Sequence, residues 1–95
     1  MDIQKTIRAI AKQTKAELPF GYRVLLFGSF AEGNARSGSD IDIGILGAKP
    51  LPQRTLVQIR QKVDDLPTLR KIDIVDLSRA SDRFRARALK HAKQL

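Results

Sequence analysis

The chain has no cysteine, only one histidine, ten acidic residues against eighteen basic ones, and no long apolar run. Without cysteine it can form no disulfide, no thiolate nucleophile and no cysteine-ligated zinc, which is compatible with a cytoplasmic location and is taken as such. No stretch approaches the roughly 20 apolar residues of a membrane span, and the N-terminus has no secretory h-region, so a soluble protein is expected. Aromatic residues make up 5% of the chain and do not interleave with its basic segments. The aromatic-rich strand pair of a typical RNA reader is therefore missing, and direct nucleic-acid binding is not favoured. The excess of base gives a formal charge of +8. A field of that sign favours an anionic partner, but nucleic acid, ATP and an acidic protein surface would all satisfy it. His91 borders an apolar side of the last predicted helix and is assigned no metal or catalytic role.

Ninety-five residues are expected to make one domain over 1–95, with no second substrate-binding domain. A domain of this size buries roughly 60–68% of its unfolded surface and folds alone without much margin.

The informative stretch is 22–46, YRVLLFGSFAEGNARSGSDIDIGIL. An apolar β-run, Tyr22 to Phe27, enters a Gly28-Ser29 turn, passes a small polar loop and re-emerges as a strand carrying Asp40 and Asp42. Alternate strand residues share a face, so Asp40 and Asp42 point the same way about 7 Å apart, while Ile41, Ile43 and Ile45 point into a core. Like charges that close need a cation or a proton between them, and hard carboxylate oxygens suit Mg²⁺ carrying substrate phosphates. Gly28 lets backbone amides approach an anion. If Ser29 opens a helix, its free amides and hydroxyl can hold a phosphate.

Gly28-Ser29, ten residues, then Asp40-Ile41-Asp42 resembles the signature of the minimal nucleotidyltransferases (MNT) of the DNA polymerase beta superfamily. The resemblance runs from about Val24 to Leu77. It implies a third carboxylate on a later strand, and Lys71 to Leu77 is strand-like. Two aspartates compete there, three residues apart and therefore on opposite faces. Family position favours Asp73, leaving Asp76 as a turn or capping residue. The family usually has arginine where Glu32 stands, so a phosphate contact is weakened or moved to Arg36.

The flanking segments read as packing. Residues 2–18 form a helix with Ile3, Ile7, Ile10, Ala11, Thr14 and Leu18 on one stripe, ended by Pro19 and Gly21. The first strand is too continuously apolar to be half exposed and should lie centrally in its sheet. Glu32 to Ser39 is a loop in which Ser39 shapes the turn, and Gly44 either leaves room for a ligand or marks a bulge. Pro52 opens a helix to about Leu66 whose buried stripe is Leu56, Ile59, Val63 and Leu66. A last helix, from Ser78 or Ser81 to the terminus, carries Arg79, Arg83, Arg87, Lys90 and Lys93 on a solvent-facing stripe opposite Phe84, Ala88, Ala92 and Leu95.

The expected fold is α/β, a small mixed sheet flanked by helices in the order α-β-loop-β-α-β-α. By the resemblance, its first two motif strands are antiparallel neighbours. The resemblance further implies transfer of AMP from ATP to an acceptor hydroxyl. Asp40, Asp42 and Asp73 would be the catalytic and metal-binding residues for Mg²⁺, two ions in the family logic, and Gly28, Ser29 and Arg36 would bind the nucleotide. It also implies a protein partner, a HEPN ribonuclease toxin modified on tyrosine, with this chain as antitoxin. The alternatives are a stoichiometric binding antitoxin with a degenerate nucleotide site, and transfer to a small molecule or RNA end.

Overall fold

The computed structural model describes residues 2–95. In order, the elements are α1 (Ile3–Glu17), β1 (Arg23–Phe27), the one-turn α2 (Ser29–Glu32), β2 (Ile41–Leu46), α3 (Gln53–Asp64), β3 (Ile72–Asp76), α4 (Asp82–Leu89) and β4 (Lys93–Gln94). The sheet order is β3-β2-β1-β4, with β1 antiparallel to both neighbours and β2 parallel to β3. The apolar first strand is interior, and the two motif strands are antiparallel neighbours, as expected.

α1 starts where the Asp2 carboxylate accepts the Lys5 amide at 2.9 Å, and it ends before Pro19, which has no amide to donate. Its stripe buries Ile7, Ile10, Ala11 and Thr14. The Thr14 hydroxyl donates to the Ile10 carbonyl at 2.7 Å, so the one hydroxyl on that stripe's inner end is satisfied. α3 buries Leu56, Ile59 and Val63, and both helices cover one face of the sheet over Val24, Leu26, Ile41, Ile43, Ile45 and Ile74. Each fully buried isoleucine there contributes about 1.5–3 kcal/mol. The strands' alternate residues face the other way. On that side Phe84 of α4 meets Phe27 edge-on, with ring centroids 6.1 Å apart.

The C-terminal expectation is corrected. α4 stops at Leu89, the chain turns, and Lys93 and Gln94 pair with Leu26 and Leu25 while the Leu95 amide donates to the Val24 carbonyl at 2.8 Å. The cause is non-local: β1 has a second edge of backbone donors and acceptors lying among apolar residues, and a short strand satisfies it where more helix would not. The five-residue basic stripe therefore does not exist. Arg79 precedes α4, donates to the Leu51 carbonyl at 3.0 Å and lies 3.6 Å from Asp76, while Lys93 belongs to β4. Arg85 ties α4 down instead, donating from Nε to the Leu77 carbonyl and from Nη2 to the Ala80 carbonyl, each at 2.8 Å.

Asp76 is a buried turn-former, on the face opposite Asp73 as the strand parity requires. Its carboxylate accepts the Leu51 amide at 2.9 Å and the Ser78 amide at 3.0 Å on the α1–α3 side of the sheet. Among the described residues no helix is long and apolar enough to cross a membrane.

Candidate active site

β1 delivers its chain into Gly28, whose φ of 73° and ψ of −155° lie in a region essentially reserved for glycine. The Gly28 carbonyl accepts the Ala31 amide at 3.1 Å and the Glu32 amide at 3.0 Å, which starts α2 at Ser29 as the sequence suggested. The absent side chain matters a second time. A Cβ at Gly28 would overlap the Asp42 carboxylate, so this glycine is what lets the turn and the acid lie side by side.

Asp42 sits on β2 with Phe27 opposite it on one side and Asp73 on the other. Parallel neighbours stand about 4.8 Å apart, so the two carboxylates leave one face of the sheet together. Asp40 precedes β2 by one residue, so only Asp42 of the motif pair is held in the strand. Burial raises the Asp42 pKa, and the charges of Asp73 and then Asp40 raise it further. The three acids thus act on one electrostatic neighbourhood.

Asp40 has a partner that the sequence did not reveal, the Lys71 ammonium at 3.8 Å. Among the described residues no three acidic or imidazole side chains close into a ready-made cage for one ion. Asp42 accepts no hydrogen bond among them either, and its charge is opposed by two others. Hard, anionic and uncompensated oxygens of this kind fit Mg²⁺ or a similar cation, which would relieve the repulsion that lifts the Asp42 pKa.

Asp42 and Asp73, but not Asp40, line a cleft of about 700 Å³ walled also by Phe27, Phe84, Val75, Arg60 and Asp64. Arg60 reaches round the edge of the sheet to donate to the Ile74 carbonyl at 2.9 Å, and nothing in the helical period announces that. Arg36 is exposed on the loop and lines neither this cleft nor the cavity beside Gly28. Its backbone is fixed instead: its amide donates to the Ser39 hydroxyl at 2.8 Å, and its carbonyl accepts the Ser39 amide at 2.9 Å. Gly44 makes room for Leu77 rather than for a ligand, since a Cβ there would collide with the Leu77 side chain.

Known proteins resemble this chain over most of its length. The family described as Polymerase beta, Nucleotidyltransferase matches residues 5–95. "Probable protein adenylyltransferase MntA" of Haemophilus influenzae is 28% identical over 85 residues, covering 90% of this chain and 75% of the relative. "Protein adenylyltransferase MntA" of Shewanella oneidensis is 31% identical over 86 residues, covering 90% of this chain and 61% of the relative, so the chain spans less than two thirds of that protein. A solved structure of a tri-AMPylated Shewanella oneidensis HEPN toxin in complex with MNT antitoxin superposes with a TM-score of 0.71 at 27% identity, covering 96% of this chain and 69% of that one. A match from the first helix to the last strand carries the resemblance past the motif. The chain belongs to the polymerase beta nucleotidyltransferase family.

Proposed function

We propose that the chain is a protein adenylyltransferase of antitoxin type, acting in the cytoplasm and moving AMP from ATP to a hydroxyl of a HEPN-class toxin, by the resemblance a tyrosine. The observation that carries this reading is the pairing of Asp42 with Asp73 across β2 and β3, beside a glycine turn that leaves no room for a side chain. The names of the two relatives and the AMPylated toxin in the complex support the acceptor class.

In this reading Asp42, Asp40 and Asp73 hold divalent cations, which when bound neutralise the triphosphate and lower the pKa of the attacking hydroxyl. The hydroxyl oxygen bonds to the α-phosphorus, the bond from that phosphorus to the bridging oxygen breaks, and pyrophosphate leaves. Asp73, on the strand next to the cleft wall, takes the hydroxyl proton. Gly28 and Ser29 present amide donors at the phosphate side, the first amides of α2 having no acceptor earlier in the helix. Phe27 and Phe84 give the cleft its apolar wall.

The test is incubation of the protein with α-labelled ATP, Mg²⁺ and a lysate containing its partner toxin. Label should appear on one protein, and Asp42→Asn should remove it without unfolding the chain. One observation favours a second reading: Glu32 puts an exposed carboxylate beside the turn, where a phosphate would meet a like charge. If no label appears and an Asp40→Asn, Asp42→Asn double variant still neutralises the toxin, the chain is a stoichiometric binding module.

A further inference from the structure

The carboxylate cleft does not end at Asp73. β3 is an edge strand, and beyond it two further hollows, of about 250 Å³ and 670 Å³, follow the seam between the end of α3 and the start of β3. The cleft and the first hollow share Val63, Asp64 and Ile72 as walls, and the first and second share Thr68, Arg70 and Lys71. The three spaces therefore form one trough, running from the carboxylates to the segment that joins α3 to β3. It leaves the site on the β3 side of the sheet, away from β1 and Gly28.

Charge changes along the trough. Asp42, Asp73 and Asp64 outnumber Arg60 at the cleft end, whereas Arg70 and Lys71 line the far hollow with no acid among its walls. Lys71 is held by Asp40 at 3.8 Å, but Arg70 has no carboxylate partner among the described residues. It rests on the Phe30 ring, 5.4 Å from the centroid. Next to it Leu69 is fully exposed. One exposed leucine alone is ordinary. Beside an uncompensated arginine, at the end of a trough that leads to the reacting atoms, it makes a surface suited to a chain that is apolar and acidic.

Two features favour a polypeptide over a nucleic acid. No aromatic ring lines the far hollow, and the one nearby, Phe30, carries Arg70 on its face, so bases find little to stack on. β3 bonds to β2 through its odd-numbered residues, the Ile41 amide reaching the Lys71 carbonyl and the Leu77 amide the Ile45 carbonyl. Ile72 therefore turns its amide and carbonyl to the open edge, where an extended chain meets a donor and an acceptor.

We propose that this trough is the docking track of the acceptor polypeptide, an extended segment that places its hydroxyl at Asp73, an acidic side chain at Arg70 and an apolar one on Leu69. The proposal rests on the adenylyl-transfer reading above and adds a sequence preference to it. From Asp73 back to Arg70 is three residues, roughly 10 Å of extended chain. The acidic residue therefore belongs about two to four positions from the acceptor.

The test uses the full chain and two fluorescein-labelled peptides. Each has one tyrosine flanked by leucines, and carries either glutamates or lysines in the next positions on both sides. Binding is read by anisotropy, and transfer by label from α-labelled ATP with Mg²⁺. The glutamate peptide should bind more tightly and be labelled with the higher kcat/KM. Leu69→Ser with Arg70→Ala should weaken it about 10-fold, the scale of one covered leucine and one exposed ion pair, through KM and not kcat, and leave ATP binding unchanged. A control, Arg54→Ala with Arg83→Ala, removes two exposed cations outside the trough and should leave the peptide's affinity as it is.

Equal binding of the two peptides, no change in the Leu69, Arg70 variant, or an equal loss in the control overturns the track. So does a single-stranded oligonucleotide of the same charge that displaces the glutamate peptide from the wild-type chain and fails to bind the variant. If the glutamate peptide binds as expected and no label passes to it or to any protein in the lysate, the trough stands as a peptide groove and the adenylyl-transfer reading falls. If label passes to both peptides alike, only the track falls.

Discussion

Replacing Asp42 with asparagine should abolish adenylyl transfer and, in the same step, make the metal-free fold more stable. Asp42 is partly buried beside Asp73 and near Asp40, and its carboxylate accepts no hydrogen bond among the described residues, so neutralising it removes repulsion and costs no partner. Like charges directly opposite in a sheet destabilise by about 0.2–1 kcal/mol. With Asp40 adding to Asp73, the variant should gain about 0.5–1 kcal/mol, and at about 4–8 °C per kcal/mol for a domain of this size its melting point should rise by roughly 2–8 °C.

The pH dependence follows from the direction of the shift. Asp42 holds its proton more tightly folded than unfolded, where the ordinary value is 3.8. Below 3.8 both states are protonated and the penalty vanishes. As pH rises through the interval from there to the raised folded value, the native state acquires a charge it disfavours and loses stability, and above the interval the loss is constant. Melting curves of both proteins from acid to neutral pH should therefore converge at the acid end and separate toward neutrality. Mg²⁺ should reverse the order, raising the wild type by about 1.4 kcal/mol at ten times its dissociation constant and the variant by less. An asparagine variant that melts at or below the wild type, by a margin independent of pH, would refute the account of this carboxylate cluster.

Asp76 should behave in the opposite way. Asp76→Ala strips acceptors from the Leu51 and Ser78 amides and removes the carboxylate beside Arg79, and chemical denaturation should show a loss of about 2–4 kcal/mol. Gly28→Ala, strained at its φ and overlapping Asp42, should cost about 2–4 kcal/mol in the same assay, and partial rescue by Asp42→Gly would show that the overlap is part of the cost. Lys71→Ala should change stability by less than about 0.5 kcal/mol, because its ion pair with Asp40 is exposed, and should tighten Mg²⁺ in a titration by freeing that carboxylate.

The parts of this molecule legible in the sequence are those fixed by short-range periodicity. A two-residue period puts Asp42 and the buried isoleucines on opposite faces, and the same period separates Asp73 from Asp76 before any strand is paired. The stripes of α1 and α3 follow from their own 3.6-residue spacing. Choosing Asp73 needed the family pattern, since parity says only that the two acids cannot share a site. The rest depended on partners distant in the chain. From Arg83 to Lys93 the residues are nearly all good helix formers, so local propensity runs the helix to the end, and only the open edge of β1 explains β4. The reach of Arg60 to the Ile74 carbonyl and the grip of Arg85 on the Leu77 carbonyl are equally non-local. So is the cavity that gathers Glu32 with Arg87 and Lys90.

The position of Leu95 has a practical side. Its amide is bonded at Val24, near the start of β1, and its side chain shares a hollow with Phe20 and Gly21 at the end of the sheet away from Gly28. A fluorophore, affinity handle or surface linker joined after Leu95 would leave from that far end. A chain immobilised this way would turn its acidic mouth toward the bulk, away from the support.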